Sequence, residues 1–264
     1  MNPPIKKTKL AILPFLIVLA VWQIAALSIL HYRGVAFPTP CQTLLRLVGL
    51  LTGERFLDYS LYKHIGSSLQ RWIAGFSIAA VLGISYGLLA GSIHLFEKAT
   101  AKIPQMLLLI PGLAWIPVAL LLFGVGESAT IFMIAMTAFA PIAINVHTGV
   151  KDIDIRLIHA ATMLGAGRRI LFFKVLLPAS LPSLVSGLRI GIGTGWRVLV
   201  AAEMVVGTGA GLGYAIIQAR WNLDYASSFS CIVVICCIGL LCEQVLFGRI
   251  EQRMAERRGR QVEH

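Results

Sequence analysis

Charge is what this 264-residue sequence has least of: 13% of its residues are Asp, Glu, Lys or Arg, about half the share in an ordinary soluble domain. Acidic residues are scarcer still, 12 against 23 basic ones. With 57% hydrophobic residues beside so few charges, soluble globular and disordered classes are excluded. The net charge of +11 does not bring back a nucleic-acid reading, because the basic residues sit between long apolar runs and form no stripe on a polar surface. The five Cys are odd in number, and four of them (Cys231, Cys236, Cys237, Cys242) share one apolar stretch, which argues against a secreted disulfide framework. The six His are scattered without the spacing of a zinc site, so no metal site is expected. No Lys-Ser or Lys-Thr follows the glycine-rich stretch 207–213, so it is not a phosphate-binding Walker loop.

What is present is apolar length. A helix needs about 20 apolar residues to cross a hydrocarbon core, and six segments qualify, at about 10–30, 67–93, 103–124, 128–149, 178–206 and 225–248. The first has the basic start of a signal peptide, but its apolar run is long and shows no small-x-small cleavage site, so a retained span is expected. Six spans put both termini on one side. Fifteen Lys and Arg fall on the terminal side and five (Arg33, Arg46, Arg55, Lys63, Arg220) on the other, which predicts cytoplasmic termini. The fold class expected is therefore all-α, one polytopic membrane domain over residues 1–264, with a cytoplasmic loop at 150–177 and a tail at 249–264.

Within that frame, Leu44, Leu45, Val48 and Leu51 recur at helical spacing after Pro38 and Pro40, predicting a short amphipathic helix at the outer interface. Gly83, Gly87, Gly91 and Gly187, Gly191, Gly195 form two small-xxx-small ridges, suited to close helix contact or to a pathway wall. Pro104, Pro111 and Pro117 around the third span, and Pro141 in the fourth, predict kinked or locally unwound helices. Gly83-Ile84-Ser85-Tyr86-Gly87 matches a nucleophile elbow, but inside an uncharged run it reads as packed helix, not as a strand-turn-helix carrying a catalytic Ser. No catalytic set is expected.

Charges inside spans are costly and are the default functional candidates. The fifth span holds Arg189, Arg197 and Glu203, with Trp196 beside the second. Arg197 and Glu203 are six residues apart, about 240° around a helix, so they do not pair within it. Arg197 either pairs with another helix or lends positive potential to an anion pathway, and Arg71 reads as a snorkelling residue at the outer end of span two.

The loop between spans four and five carries the most information. Its first half, through Ile155, Ile158, His159, Ala160, Ala161 and Met163, predicts a helix opened by Asp152 and Asp154. Gly165 and Gly167 break it, and a second short helix runs to Leu177-Pro178. Two short helices at a glycine bend form a docking knob. This loop resembles the EAA motif of ABC importer permeases: Glu-Ala-Ala, three residues, Gly, nine residues, Ile-x-Leu-Pro. Ala160, Ala161, Gly165, Val175, Leu177 and Pro178 hold that spacing, with Val175 for Ile and His159 where the motif has Glu. Further landmarks, including Phe37-Pro38-Thr39-Pro40, Ser68-Leu69-Gln70-Arg71, Ile110-Pro111-Gly112-Leu113-Ala114-Trp115-Ile116-Pro117 and Gly195-Trp196-Arg197-Val198, resemble the sulfonate, taurine and nitrate type of permease.

The resemblance implies a type I ABC importer permease fold of six transmembrane helices plus cytoplasmic coupling helices. It implies a bacterial inner-membrane location, a second permease copy making a homodimer, and two cytoplasmic ATP-binding subunits docked on His159, Ala160, Ala161, Gly165, Gly167, Val175, Leu177 and Pro178. An extracytoplasmic substrate-binding protein would deliver the solute, a sulfonate, taurine or nitrate-like anion. ATP and Mg would be used by the partner subunits, and the chain itself would bind no cofactor and catalyse no reaction. Trp115, Pro117, Trp196, Arg197 and Glu203 are the expected pathway residues. The alternative is an ion-coupled secondary transporter or channel, whose relay needs acidic groups inside the spans, where only Glu203 and Glu243 stand.

Overall fold

The computed structural model describes the backbone of residues 4–242 and the side chains of residues 13–242. The side chains of Lys6, Lys7 and Lys9, the expected end of the sixth span at 243–248 with Glu243, and the tail at 249–264 lie outside the described residues. The regular structure of the described residues is helical apart from a short hairpin, β1 (Arg55–Phe56) paired antiparallel with β2 (Tyr59–Ser60). It forms two compact units: residues 4–64 with Ala215–Val234, and residues 65–214 with 235–242.

In the first unit, α1 (Pro4–Arg33) exposes most of its large apolar side chains, among them Phe15, Val18 and Ile24, as befits a helix solvated by lipid. Its Trp22 Nε1 donates to the Pro38 carbonyl at 2.9 Å. Thr39 then caps α2 (Pro40–Leu51): its Oγ1 accepts from Gln42 N at 3.3 Å while Gln42 Oε1 accepts from Thr39 N at 3.0 Å. That reciprocal box, with Pro40 at the first helical position, satisfies the exposed N–H groups of the first turn. Leu44, Leu45, Val48 and Leu51 are all exposed, the apolar face expected of an interfacial helix.

The second unit is built around α7 (Glu127–Lys151), whose Met133, Ile134, Ala138, Ile142, Ala143 and Val146 are fully buried. Both glycine ridges lie on it. A Cβ at Gly83, Gly87 or Gly91 of α3 (Leu61–Ser92) would fall 2.8, 2.6 or 2.5 Å from Ile142, Val146 or Val150. On α10 (Leu177–Val206), a Cβ at Gly187 or Gly191 would come within 2.9 Å of Asn145 or 2.8 Å of Ile142. Such approach gives dispersion contact over the whole ridge where no hydrophobic drive exists between lipid-embedded helices. The nucleophile-elbow look-alike is part of this packing, in mid-helix on α3.

Proline acts differently in two places. Between α5 (Lys102–Leu109) and α6 (Ile116–Phe123), Ile110 is extended at φ −83°, ψ 116° before Pro111, and a 3₁₀ turn at Gly112–Trp115 follows. This is the conformation a following proline imposes. The third span, counted from α4 (His94–Thr100), is thereby bent by 105°. Helix α7, by contrast, stays helical through Pro141, so of the two expected outcomes, a kink or local unwinding, the unwinding does not occur there; Ala140, Pro141 and Ile142 are all buried. Four described helices are long and apolar enough to cross a membrane, and the bent pair makes a fifth. Helix α12 (Tyr225–Leu241), in the sixth expected span, has 17 residues, a length of about 26 Å.

Candidate functional site

The loop after α7 is an exposed knob. Helix α7 ends at Lys151 with Asp152 as its C-cap, so Asp152 closes one helix while only Asp154 opens the next. Asp154 accepts from Arg156 N at 2.9 Å and also binds the Arg156 guanidinium, at 2.7 Å from Nη2. These Arg156 hydrogen bonds hold its carboxyl below the usual carboxylate range. Helix α8 (Ile155–Met163) follows, and none of its residues is buried. Ile155, Leu157, His159, Ala160, Met163 and Leu164 are all exposed, the last two at 88% each.

Gly165 stands at φ +79°, the left-handed region that ends helices and favours glycine, and Ala166 N closes the turn on the Ala161 carbonyl at 3.0 Å. Gly167 is extended and starts α9 (Arg168–Leu171), which continues through a π turn at Phe172–Leu176, including Val175, into α10. Arg168–Val206 is thus one 39-residue helical run, so the expected second short helix is joined to span five at Leu177 and Pro178. The root of the knob is pinned by Glu97 of α4, which accepts from Lys151 Nζ at 2.7 Å and faces His147 Nε2 at 3.1 Å.

At the other end of α10 lies a buried ionic knot. Glu203 accepts from Ser68 Oγ (2.9 and 2.8 Å), Arg71 Nη1 (2.8 Å) and Gly213 N (3.0 Å). Arg71 is 5% exposed and also donates to the Ala210 carbonyl at 2.6 Å and to Glu127 at 3.0 Å. It does not snorkel; it is the counter-ion of Glu203. Ser68 Oγ accepts from Leu212 N at 2.8 Å, at the start of α11 (Leu212–Trp221). The knot therefore fixes the glycine-rich turn. At Gly211, φ is +158° and a Cβ would lie 2.7 Å from the Glu203 carboxylate, so glycine is required there twice over. This set went unread because its members are 132 and 135 residues apart in sequence; the hint was a Ser and an Arg three apart on one face of α3.

Between these ends, a cavity of about 360 Å³ is lined by Trp72, Arg189, Ile190, Trp196, Arg197 and Cys242. Of the expected pathway residues, Trp196 and Arg197 meet here. Glu203 is in the knot, and Trp115 packs on Phe132 at 6.1 Å between ring centroids. Pro117 is exposed in the first turn of α6. Trp72 and Arg189 are additions that sequence reasoning had not assigned to this wall.

The family model for the binding-protein-dependent transport system inner membrane component matches residues 83–256. The chain belongs to this family. The permease is 34% identical to the taurine transport system permease protein TauC of Escherichia coli (strain K12), over 84% of this chain and 80% of that protein. It is 35% identical to the nitrate import permease protein NrtB of Synechocystis sp., over 87% and 83% of the two chains. A solved inward-facing structure of the MetNI methionine ABC transporter superposes with a TM-score of 0.63, at 23% identity over 73% of this chain and 95% of that one, which shows the fold. The expected type, an ABC importer permease of the sulfonate, taurine and nitrate kind with a type I importer fold, is thereby borne out. It is a transport component of the inner membrane, in a family that works with partner ATPases and binding proteins.

Proposed function

We propose that this permease carries a small oxyanion, a sulfonate, taurine or nitrate, inward through a homodimer driven by two ATPase subunits docked on residues 152–177. The carrying observation is α8: a helix with apolar side chains on its surface and none buried has its energetic partner elsewhere. Ala160 and Ala161 let it enter a groove, and the left-handed Gly165 turns the chain so that both short helices are presented together. ATP would be bound and hydrolysed by the partners, with Mg, and this chain would hold neither. Residues 1–264 would form a single permease domain, with cytoplasmic termini that put the knob and the ATPases on one side. An extracytoplasmic binding protein would deliver the anion at the opposite face.

In this reading the long α10 helix carries motion from the knob to the pathway, where Trp196 and Arg197 form the wall. Trp115 and Pro117 of the broken span supply its movable side, and Glu203 belongs to the outer closure. A secondary carrier needs a titrating acid open to the pathway; Glu203 is sealed by Ser68, Arg71 and Gly213.

The test is reconstitution of permease, ATPases and binding protein in proteoliposomes. Ala161→Trp and Gly165→Pro are expected to abolish uptake while basal ATP hydrolysis persists and loses its stimulation by loaded binding protein. Full uptake with normal stimulation in both variants, or uptake by the permease without any ATPase, would refute the coupling role.

A further inference from the structure

The helical stem that leads into α10 carries a face that its own unit leaves uncovered. Arg169 and Phe173 are four residues apart, as are Ile170 and Lys174, so the four share one side of the stem. All four are exposed, and Arg168 is exposed beside them. The side chains of Arg168, Arg169 and Lys174 make no hydrogen bond or ion pair among the described residues. Their own segment has no acid to offer, because no Asp or Glu occurs between Asp154 and Glu203. At the root of the knob, Asp154 is spent on Arg156 and Glu97 on Lys151, each at 2.7 Å. Residues 249–264 are no better a match, with five Arg against three Glu. At about 1.5 Å rise per residue, Lys174 and Arg169 stand about 6 and 14 Å before Pro178 along the helix. That places them beside the headgroup layer of the bilayer which the same run enters.

We infer that this face binds anionic phospholipid of the inner leaflet, with Arg168, Arg169 and Lys174 on the phosphate headgroups and Ile170 and Phe173 against the upper acyl chains. The inference goes beyond the coupling reading and takes from it only the side of the membrane. An apolar strip flanked by cations is the pattern of an interfacial helix, whose ring sinks while the long basic stems reach back to the headgroups. Each Lys or Arg near an anionic leaflet is worth about five-fold in affinity, and guanidinium forks suit phosphate oxygens. The ATPase is the other large partner available to the stem, but the helix offered to it, α8, lies at the tip of the knob. The stem, next to the point where the chain enters the bilayer, meets lipid first. None of these five residues belongs to the set assigned to ATPase docking, so the two surfaces can be occupied together.

A reporter on the face tests this. Phe173→Trp is made in the full permease–ATPase complex, in phosphatidylcholine proteoliposomes, and its quenching is read over that of the five native Trp. A minor fraction of the lipid is replaced by acyl-brominated phosphatidylglycerol or, in parallel, by the same fraction of brominated phosphatidylcholine. The local enrichment of phosphatidylglycerol over phosphatidylcholine is expected to be about five-fold or more. Arg169→Gln and Lys174→Gln should each lower it several-fold, Arg169→Lys should retain it, and about 1 M salt, where the Debye length is about 3 Å, should erase it. Equal quenching by the two lipids, or an enrichment indifferent to Arg169→Gln/Lys174→Gln, overturns the surface. So does quenching present in the permease alone that vanishes when the ATPases are added, which gives the face to the ATPase. Loss of the enrichment in inorganic phosphate but not in chloride of equal ionic strength makes it a free-anion site and also overturns it. Native mass spectrometry of the unsubstituted complex needs no reporter: phosphatidylglycerol should be retained over phosphatidylcholine through delipidation, and retention undiminished in Arg169→Gln/Lys174→Gln refutes the assignment. Normal ATP-driven uptake without lipid enrichment removes this surface and leaves the coupling reading; enrichment in a chain whose Ala161→Trp and Gly165→Pro variants stay fully coupled does the reverse.

Discussion

Arg71 and Arg197 both stand on apolar spans of the same unit, and their surroundings are opposite. Arg71 is buried with a carboxylate, a carbonyl and a second, more exposed carboxylate around one guanidinium. Arg197 is exposed on a cavity wall with no partner among the described residues. Each arginine carries a cost of about 2.5–3.5 kcal/mol at the centre of a spanning helix. At Arg71 that cost is offset within the chain, and the outcome is a fixed turn. At Arg197 no described residue offsets it.

Substitutions sharpen the contrast, beginning with the knot. Arg71→Leu leaves Glu203 buried and uncompensated, and is expected to cost about 3–5 kcal/mol, read as a large drop in thermal midpoint in detergent. The double variant Arg71→Leu/Glu203→Leu should recover most of it; equal loss in both would show that the pair is not what holds the turn. Gly87→Leu drives a side chain into Val146 and should cost about 1–3 kcal/mol by overpacking. A neutral result in the same thermal assay would mean that α3 and α7 stand further apart. Arg197→Gln should change stability by less than about 0.5 kcal/mol, as expected of a side chain without structural partners, yet reduce anion uptake at least about ten-fold, a loss of about 1.4 kcal/mol in transport. A destabilisation rivalling that of Arg71→Leu would abolish the distinction.

The smallest effect is at the knob. Because Arg156 holds the Asp154 carboxyl below its ordinary value, the capping charge is fully present at neutral pH. Its contribution is lost only as pH falls through that lowered value. Amide exchange at residues 155–159 should be unchanged between pH 7 and 5 after correction for intrinsic rates, and faster in Asp154→Ala at either pH. Loosening already at pH 5 in the unsubstituted chain would show that the cap is not held in this way.

How much of this was legible in sequence depended on distance along the chain. The glycine bend at Gly165, the amphipathic α2 and the break at Pro111 are local chemistry, and each is where spacing and turn rules place it. The two glycine ridges announced close contact but not that one helix, α7, receives both. Pro141 unwinds nothing, and a local rule cannot see that α7 is held along its length by neighbours. The partnership of Arg71 with Glu203 has no local signature at all: a snorkelling arginine and a buried one have the same flanking residues, and only the fold separates them. Trp72 belongs to the cavity for the same reason.

The π turn at Phe172–Leu176 joins the knob to α10 with no break in the helical run. Thirty-nine continuous helical residues from Arg168 to Val206 make a rod of about 58 Å, roughly twice the thickness of the hydrocarbon core. A tilt of about 10° at one end of such a rod sweeps the other through about 10 Å, more than a cavity needs to open or shut. Under the coupling proposed above, that rod is a lever: a small displacement at the knob is already a large one at the far end of α10.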